Sequence, residues 1–112
     1  MTDKIVILST CATEEDAERI ARHLVDSRIA ACVNVVSRVR SFYHWKGSVE
    51  SASEFLLVIK SSRGLFAALR VELEKIHPYE VPEVLAVPIV EGSEGYLNWL
   101  ATNLRPESES QA

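Results

Sequence analysis

Three histidines, two cysteines, three tyrosines and two tryptophans are the side chains of this sequence best equipped for chemistry. His77 ends a stretch of helical spacing and is followed by Pro78, Tyr79 and Glu80, which makes its imidazole the leading candidate for acid–base or ligand work near neutral pH. The same placement also suits a helix-terminal cation resting on the dipole. Cys11 and His77 form a nucleophile–base couple only if the fold joins them, and no third, orienting group is identifiable. The cysteines, Cys11 and Cys32, belong to no CxxC pair and read as small buried hydrophobes. His23 lies in the basic half of a predicted helix and reads as solvated. His44 sits between Tyr43 and Trp45 and reads as packing at a subunit contact. Tyr43, Trp45 and Tyr79 are candidates to line a cleft between protomers or to pack in the interface, where such rings are enriched. Glu83 is a candidate for a hydrogen bond or ligand contact at the same boundary.

Several chemistries are disfavoured. There are 4 glycines and no Gly-rich phosphate loop, and no serine lies in a nucleophile motif. The chain carries 12 Lys and Arg against 16 Asp and Glu, a net charge of −4, which is a poor basis for gripping nucleic acid or an anionic membrane. The segment Glu54-Phe-Leu-Leu-Val-Ile-Lys60 lacks the exposed aromatics of an RNA-binding sheet. Ser9-Thr-Cys-Ala-Thr13 offers one thiol where a soft-metal chaperone of similar topology needs two. No apolar run approaches the ~20 residues of a membrane span, and Ile5–Leu8 is too short for a signal peptide. A cytoplasmic protein with no nucleic-acid or membrane partner is the expectation.

Those side chains must be positioned by a small set of elements. A chain of 112 residues is one domain with one core. Ile5–Leu8 is a β-branched run typical of a buried strand. Thr13 is a predicted N-cap, with acids at 14–16 and then Ala17, Ile20, Ala21, Leu24 and Val25 at helical spacing. From 31 to 45 the apolar positions alternate, which puts Ala31, Val33, Val35, Val39, Tyr43 and Trp45 on a single face. Lys46-Gly47 turns the chain, and 49–60 returns as the second arm of a long hairpin. Ser62 is a predicted cap for a second helix bearing Leu65, Phe66, Leu69, Leu73 and Ile76, which Pro78 stops at His77. Strand 84–90 and a helix capped by Ser93 complete residues 1–104. Trp99 and Tyr96, at helical spacing, predict that this last helix packs on the open sheet. Residues 105–112 read as a flexible acidic tail.

The order β-α-β-β-α-β plus a C-terminal helix predicts a ferredoxin-like α+β sandwich with an antiparallel sheet, both helices on one face and the other face uncovered. A strand over 31–45 would extend roughly 50 Å, whereas a domain of this size is about 35 Å across. A projecting hairpin tipped with Phe42, Tyr43 and Trp45 calls for burial against another copy.

The stretches Arg28-Ile-Ala-Ala-Cys-Val-Asn-Val-Val36, Ser41-Phe-Tyr-His-Trp-Lys-Gly47, His77-Pro-Tyr-Glu-Val-Pro-Glu83 and Tyr96-Leu-Asn-Trp-Leu100 resemble the CutA family of divalent-cation tolerance proteins, in order and spacing. The resemblance implies a ferredoxin-like protomer, a homotrimer related in architecture to the PII signalling proteins, and a link to copper and other divalent cations. Copper ligands of the family correspond to the positions of Ser9, Ile76 and His77, of which only His77 keeps a donor suited to a soft ion. Cys11, two residues from Ser9 along a strand and on the same face, is the candidate second metal ligand. A weakly bound copper or other divalent cation is the expectation. The leading function is a trimeric cytosolic binding or signalling module responding to metal ions, with an unknown small ligand. The alternative is a small-molecule enzyme with an intersubunit cleft and His77 as acid or base.

Overall fold

The structure of the protein is a computed structural model, which describes residues 2–107. Strand β1 (Lys4–Cys11) alternates strictly, turning Ile5, Ile7, Ser9 and Cys11 inward. Helix α1 (Glu14–Asp26) begins as expected: the Thr13 hydroxyl accepts from the Asp16 amide at 3.0 Å, and Glu14, Glu15 and Asp16 place negative charge at its N-terminus. It buries Ala17, Ile20 and Leu24.

Strands β2 (Cys32–Trp45) and β3 (Ser48–Ser62) form the long hairpin. Its two-residue turn needs left-handed backbone at both positions, and Lys46 (φ 50°) and Gly47 (φ 85°) supply it. Ser62 makes no side-chain cap; a 3-10 turn over Arg63–Leu65 intervenes, so helix α2 (Phe66–Ile76) starts later than a Ser62 cap would place it. His77 is extended, as the residue before a proline is pressed to be, and the helix ends there. Strand β4 (Leu85–Pro88) is shorter than the expected 84–90, and it pairs only with Ile5–Leu8. Helix α3 (Glu94–Thr102) is capped by the Ser93 hydroxyl, which accepts from the Tyr96 amide.

The sheet has the order β2-β3-β1-β4 with every pairing antiparallel, the ferredoxin-like arrangement anticipated. Helices α1 and α2 cover one face, where Ile7, Ile20, Leu24, Leu57, Ile59, Leu69 and Leu73 form the core. The molecule measures 44 × 30 × 23 Å, long for its chain length because the hairpin projects.

The expected alternation along β2 fails at one point. Val36 opposes Leu56 while Val39 opposes Glu54, so Ser37 and Arg38 together face Phe55. This is a β-bulge with Arg38 in the left-handed region at φ 63°. Val33 and Val35 pair with Ile59 and Leu57 on the helix-covered face. Beyond the bulge Val39, Ser41, Tyr43 and Trp45 pair with Glu54, Ala52, Glu50 and Ser48 on the opposite face. Simple alternation puts all of these β2 residues on one side; one extra residue exchanges the faces.

The uncovered face exposes Val36, Leu85 and Val87. Helix α3 meets its far end, where Tyr96 lies over Lys60. Trp99 does not pack onto the sheet as its spacing predicts. It stacks on Tyr96 at 5.6 Å with both rings half exposed, and Leu100 is the residue that α3 buries. The expected tail, 105–112, begins with contacts: the Arg105 amide donates to the Arg28 carbonyl at 2.9 Å, and the Glu107 carboxylate fills the space beside Gly64. Residues 108–112 lie outside the described residues.

Candidate functional site

The bulge makes the site. By turning the outer half of β2 over, it sets Ser41, Tyr43 and Trp45 beside Ala52 and Glu54 of β3 and Thr10 of β1. The loop after α2 closes the other side with Tyr79, Glu80, Val81 and Glu83. The result is a cleft of about 760 Å³ on the uncovered sheet face, walled by aromatic rings and three carboxylates.

At its base the Tyr79 hydroxyl donates to Glu54 Oε2 at 2.7 Å. Glu54 is only 9% exposed, and no ion pair reaches it among the described residues. Burial first, and then the Glu54 carboxylate, raise the pKa of the Tyr79 phenol well above its ordinary value, so this hydrogen bond keeps its proton through the physiological range.

His77 holds the loop rather than facing the cleft. Its Nε2 lies 2.8 Å from the Thr10 carbonyl, and its Nδ1 lies 3.0 Å from the Tyr79 amide. A carbonyl only accepts and an amide only donates, so Nε2 carries the proton and Nδ1 spends its lone pair on the backbone. The ring is 7% exposed and sits 4.7 Å from that of Tyr79. Both nitrogens are therefore committed, which leaves His77 itself without a free nitrogen for acid–base catalysis.

Cys11, the other candidate ligand, is fully buried on the helix-covered side, its thiol pointing at the Thr13 carbonyl 3.7 Å away. Burial, followed by the charges of Asp16 and Glu54, raises its pKa and disfavours the thiolate that binds metals. Ser9 is buried on the same side, and its hydroxyl has no hydrogen-bond partner among the described residues. Among the described residues, no group of three or more His, Cys, Asp or Glu side chains is placed to hold a metal ion. The donors present do not fit a metal centre of the usual closed or three-ligand kind.

Of the sequence candidates, Tyr43, Trp45, Tyr79 and Glu83 do come together. His44 alternates away from them and is exposed, and His23 is bonded across the helices to Glu72 at 2.8 Å. Glu54 is a cleft-lining residue that sequence reasoning does not single out. Its signal is a carboxylate heading an apolar strand run, and its significance depends on the bulge opposite.

The fold and the cleft together define a ferredoxin-like α+β domain with an acidic, aromatic-lined recess on its uncovered face. The sequence model of the CutA1 divalent ion tolerance protein family matches residues 5–103. The chain is 45% identical over 98 residues to the divalent-cation tolerance protein CutA of Thermus thermophilus, covering 88% of this chain and 95% of that one. It is 45% identical over 91 residues to the mouse protein CutA, covering 81% of this chain and 51% of the longer relative. The crystal structure of CutA from Xylella fastidiosa superposes with a TM-score of 0.90 at 38% identity, over 93% of this chain and all of that one. This chain belongs to the CutA1 divalent ion tolerance protein family.

Proposed function

We propose that the chain is a non-catalytic binding and signalling module in the divalent-cation response, working as a homotrimer with the cleft as its ligand site. The observation that carries this reading is the position of the cleft. It opens on the one sheet face that the helices leave bare, continuous with the exposed apolar residues Val36, Leu85 and Val87. A bare apolar face of this kind is covered by association, and a ring of copies would close the sheet edges at the same time. The projecting hairpin supports this, because Phe42 is 67% and Trp45 59% exposed in the single chain. Ligand occupancy at a protomer boundary then changes the assembly, which is how a module without catalysis reports a signal.

The commitment of both His77 nitrogens supports binding over turnover. It also supports only weak direct metal contact through this residue, since a metal on Nδ1 must displace the Tyr79 amide. Among the described residues, no helix is long and apolar enough to cross a membrane.

Light scattering coupled to size exclusion at low micromolar concentration tests the assembly, with about three times 12.5 kDa expected. A monomer mass overturns it. A thermal-shift screen of metabolites tests the rest: a stabilising compound recovered unchanged agrees with a binding module, and one that is consumed favours the enzyme.

A further inference from the structure

The lining of the cleft is one-sided in charge. Glu54, Glu80 and Glu83 contribute carboxylates, and the remaining lining residues are neutral, with no Lys, Arg or His among them. None of the three carboxylates takes part in an ion pair among the described residues. Glu80 and Glu83 are exposed and can be left to water. Glu54 is different. At 9% exposure it has given up most of its hydration, and its Oε2 has the Tyr79 hydroxyl alone in return. Among the described residues Oε1 takes no hydrogen bond and is not sealed from solvent, so it is open to the cleft. A carboxylate with one neutral donor, an open second oxygen and no ion pair among the described residues is a ready acceptor for a cation entering the cleft.

The walls indicate which kind of cation. Tyr43, Trp45 and Tyr79 line the recess with rings, and ring faces attract a desolvated, diffuse positive charge. The Lys46 ammonium already lies over the Trp45 ring, 5.8 Å from its centroid, which leaves Tyr43 and Tyr79 as the rings for a ligand. A hard divalent ion calls for several oxygen ligands at close range, and the carboxylates among the described residues are not grouped to provide them. The volume of about 760 Å³ suits a small molecule.

Building on the reading of the cleft as a ligand site, we propose that its ligand class is the small organic ammonium ion. The charged nitrogen sits beside the Tyr79 ring and Glu54. Tyr43 and Trp45 line the outer part of the recess farther along β2, and Glu80 and Glu83 supply a favourable field at the entrance.

The test uses the full-length protein at low ionic strength and near-neutral pH, with isothermal titration and tryptophan fluorescence as readouts. The probes are choline chloride and its near-isosteric anion, sodium 3,3-dimethylbutyrate. Choline is expected to bind saturably, and the anion to give no heat. Glu54→Gln, which keeps an acceptor for the Tyr79 hydroxyl, is expected to weaken choline about tenfold without changing the assembly mass. Should that variant fail to fold, the exposed-loop double variant Glu80→Gln/Glu83→Gln serves instead, with a several-fold loss expected. Binding of the anion in place of choline overturns the ammonium class and leaves the cleft standing as a ligand site. Absence of binding by either probe overturns the ammonium class, while the metabolite screen decides the ligand-site reading separately. Choline binding unchanged by these variants places the site elsewhere and overturns the proposal.

Discussion

Tyr79 reaches across the uncovered face of the sheet to Glu54, its hydroxyl 2.7 Å from Oε2, and so ties the loop after α2 to the middle of β3. The same loop is held from behind by His77, which bridges the Thr10 carbonyl and the Tyr79 amide. Two side chains two residues apart thus clamp one loop to two different strands. The loop carries most of the acidic side of the cleft, so its rigidity sets the shape of the site.

Removing the hydroxyl should expose that coupling. Tyr79→Phe leaves Glu54 buried without a donor, and a loss of about 1–2 kcal/mol in urea denaturation at pH 7 is expected. The loss should depend on pH with a definite sign. The folded pKa of Tyr79 is raised, so its contribution is complete below the unfolded value of ~10 and fades as pH rises through the folded one. The gap between wild type and Tyr79→Phe should therefore narrow above pH ~10. A gap that stays constant to higher pH would show that the hydrogen bond is not its source.

The bulge at Arg38 offers a second handle. Arg38 has φ 63°, a conformation glycine adopts at little cost, so Arg38→Gly should be neutral or stabilising by up to ~1 kcal/mol. Arg38→Val should destabilise by at least that amount, because a β-branched residue resists the left-handed region. Deleting Arg38 restores plain alternation and sends Tyr43 and Trp45 to the other face. That variant should fold with its cleft lost, as read from tryptophan fluorescence and circular dichroism.

This bulge marks where sequence reading stops. The Thr13 cap, the helix end at His77 and the Lys46-Gly47 turn are legible because each depends on side-chain or backbone chemistry within a few residues. The facing of Tyr43 and Trp45 is not, since Arg38 is an ordinary residue for a strand and an inserted position has no local mark. Glu54 escapes notice for the same reason, as its burial is set by Tyr79, 25 residues away. The grouping of Tyr43, Trp45, Tyr79 and Glu83 is legible, although the buried carboxylate at the base of the group is not.

Acid should weaken the link between α1 and the end of α2. Arg19 donates to Asp16 at 3.1 Å and to the Ile76 carbonyl at 2.9 Å. The Arg19 hydrogen bond first, and Thr13 second, hold Asp16 below the usual carboxylate pKa. A depressed carboxylate contributes above its unfolded pKa of ~3.9 and ceases to contribute as pH falls through the folded value. Arg19→Ala should therefore destabilise at neutral pH, and by less at pH ~3. The residual loss in acid should reflect the Ile76 carbonyl, whose bond to Arg19 does not titrate. An equal loss at both values would remove Asp16 from the account.

Assembly should depend on the hairpin tip. Trp45 is a large ring left open to solvent in the single chain, and truncating a buried tryptophan at an interface typically costs a few kcal/mol. Trp45→Ala should shift the light-scattering mass below three times 12.5 kDa at low micromolar concentration, with the helical signal of the protomer retained. A mass identical to wild type on dilution would place the ring outside any contact between copies.

Copper should bind weakly. His77 is the one candidate ligand with a suitable nitrogen, and using Nδ1 means breaking its bond from the Tyr79 amide, while Cys11 is fully buried on the helix-covered side with a raised pKa. An incomplete donor set gives affinity far below that of a closed site. Titration of metal-stripped protein with Cu(II) should yield a dissociation constant in about the micromolar range or weaker. His77→Ala should largely abolish the signal, and it should also loosen the loop, seen as faster amide exchange at Tyr79. Stoichiometric nanomolar binding that survives His77→Ala would place the metal on side chains other than His77 and Cys11.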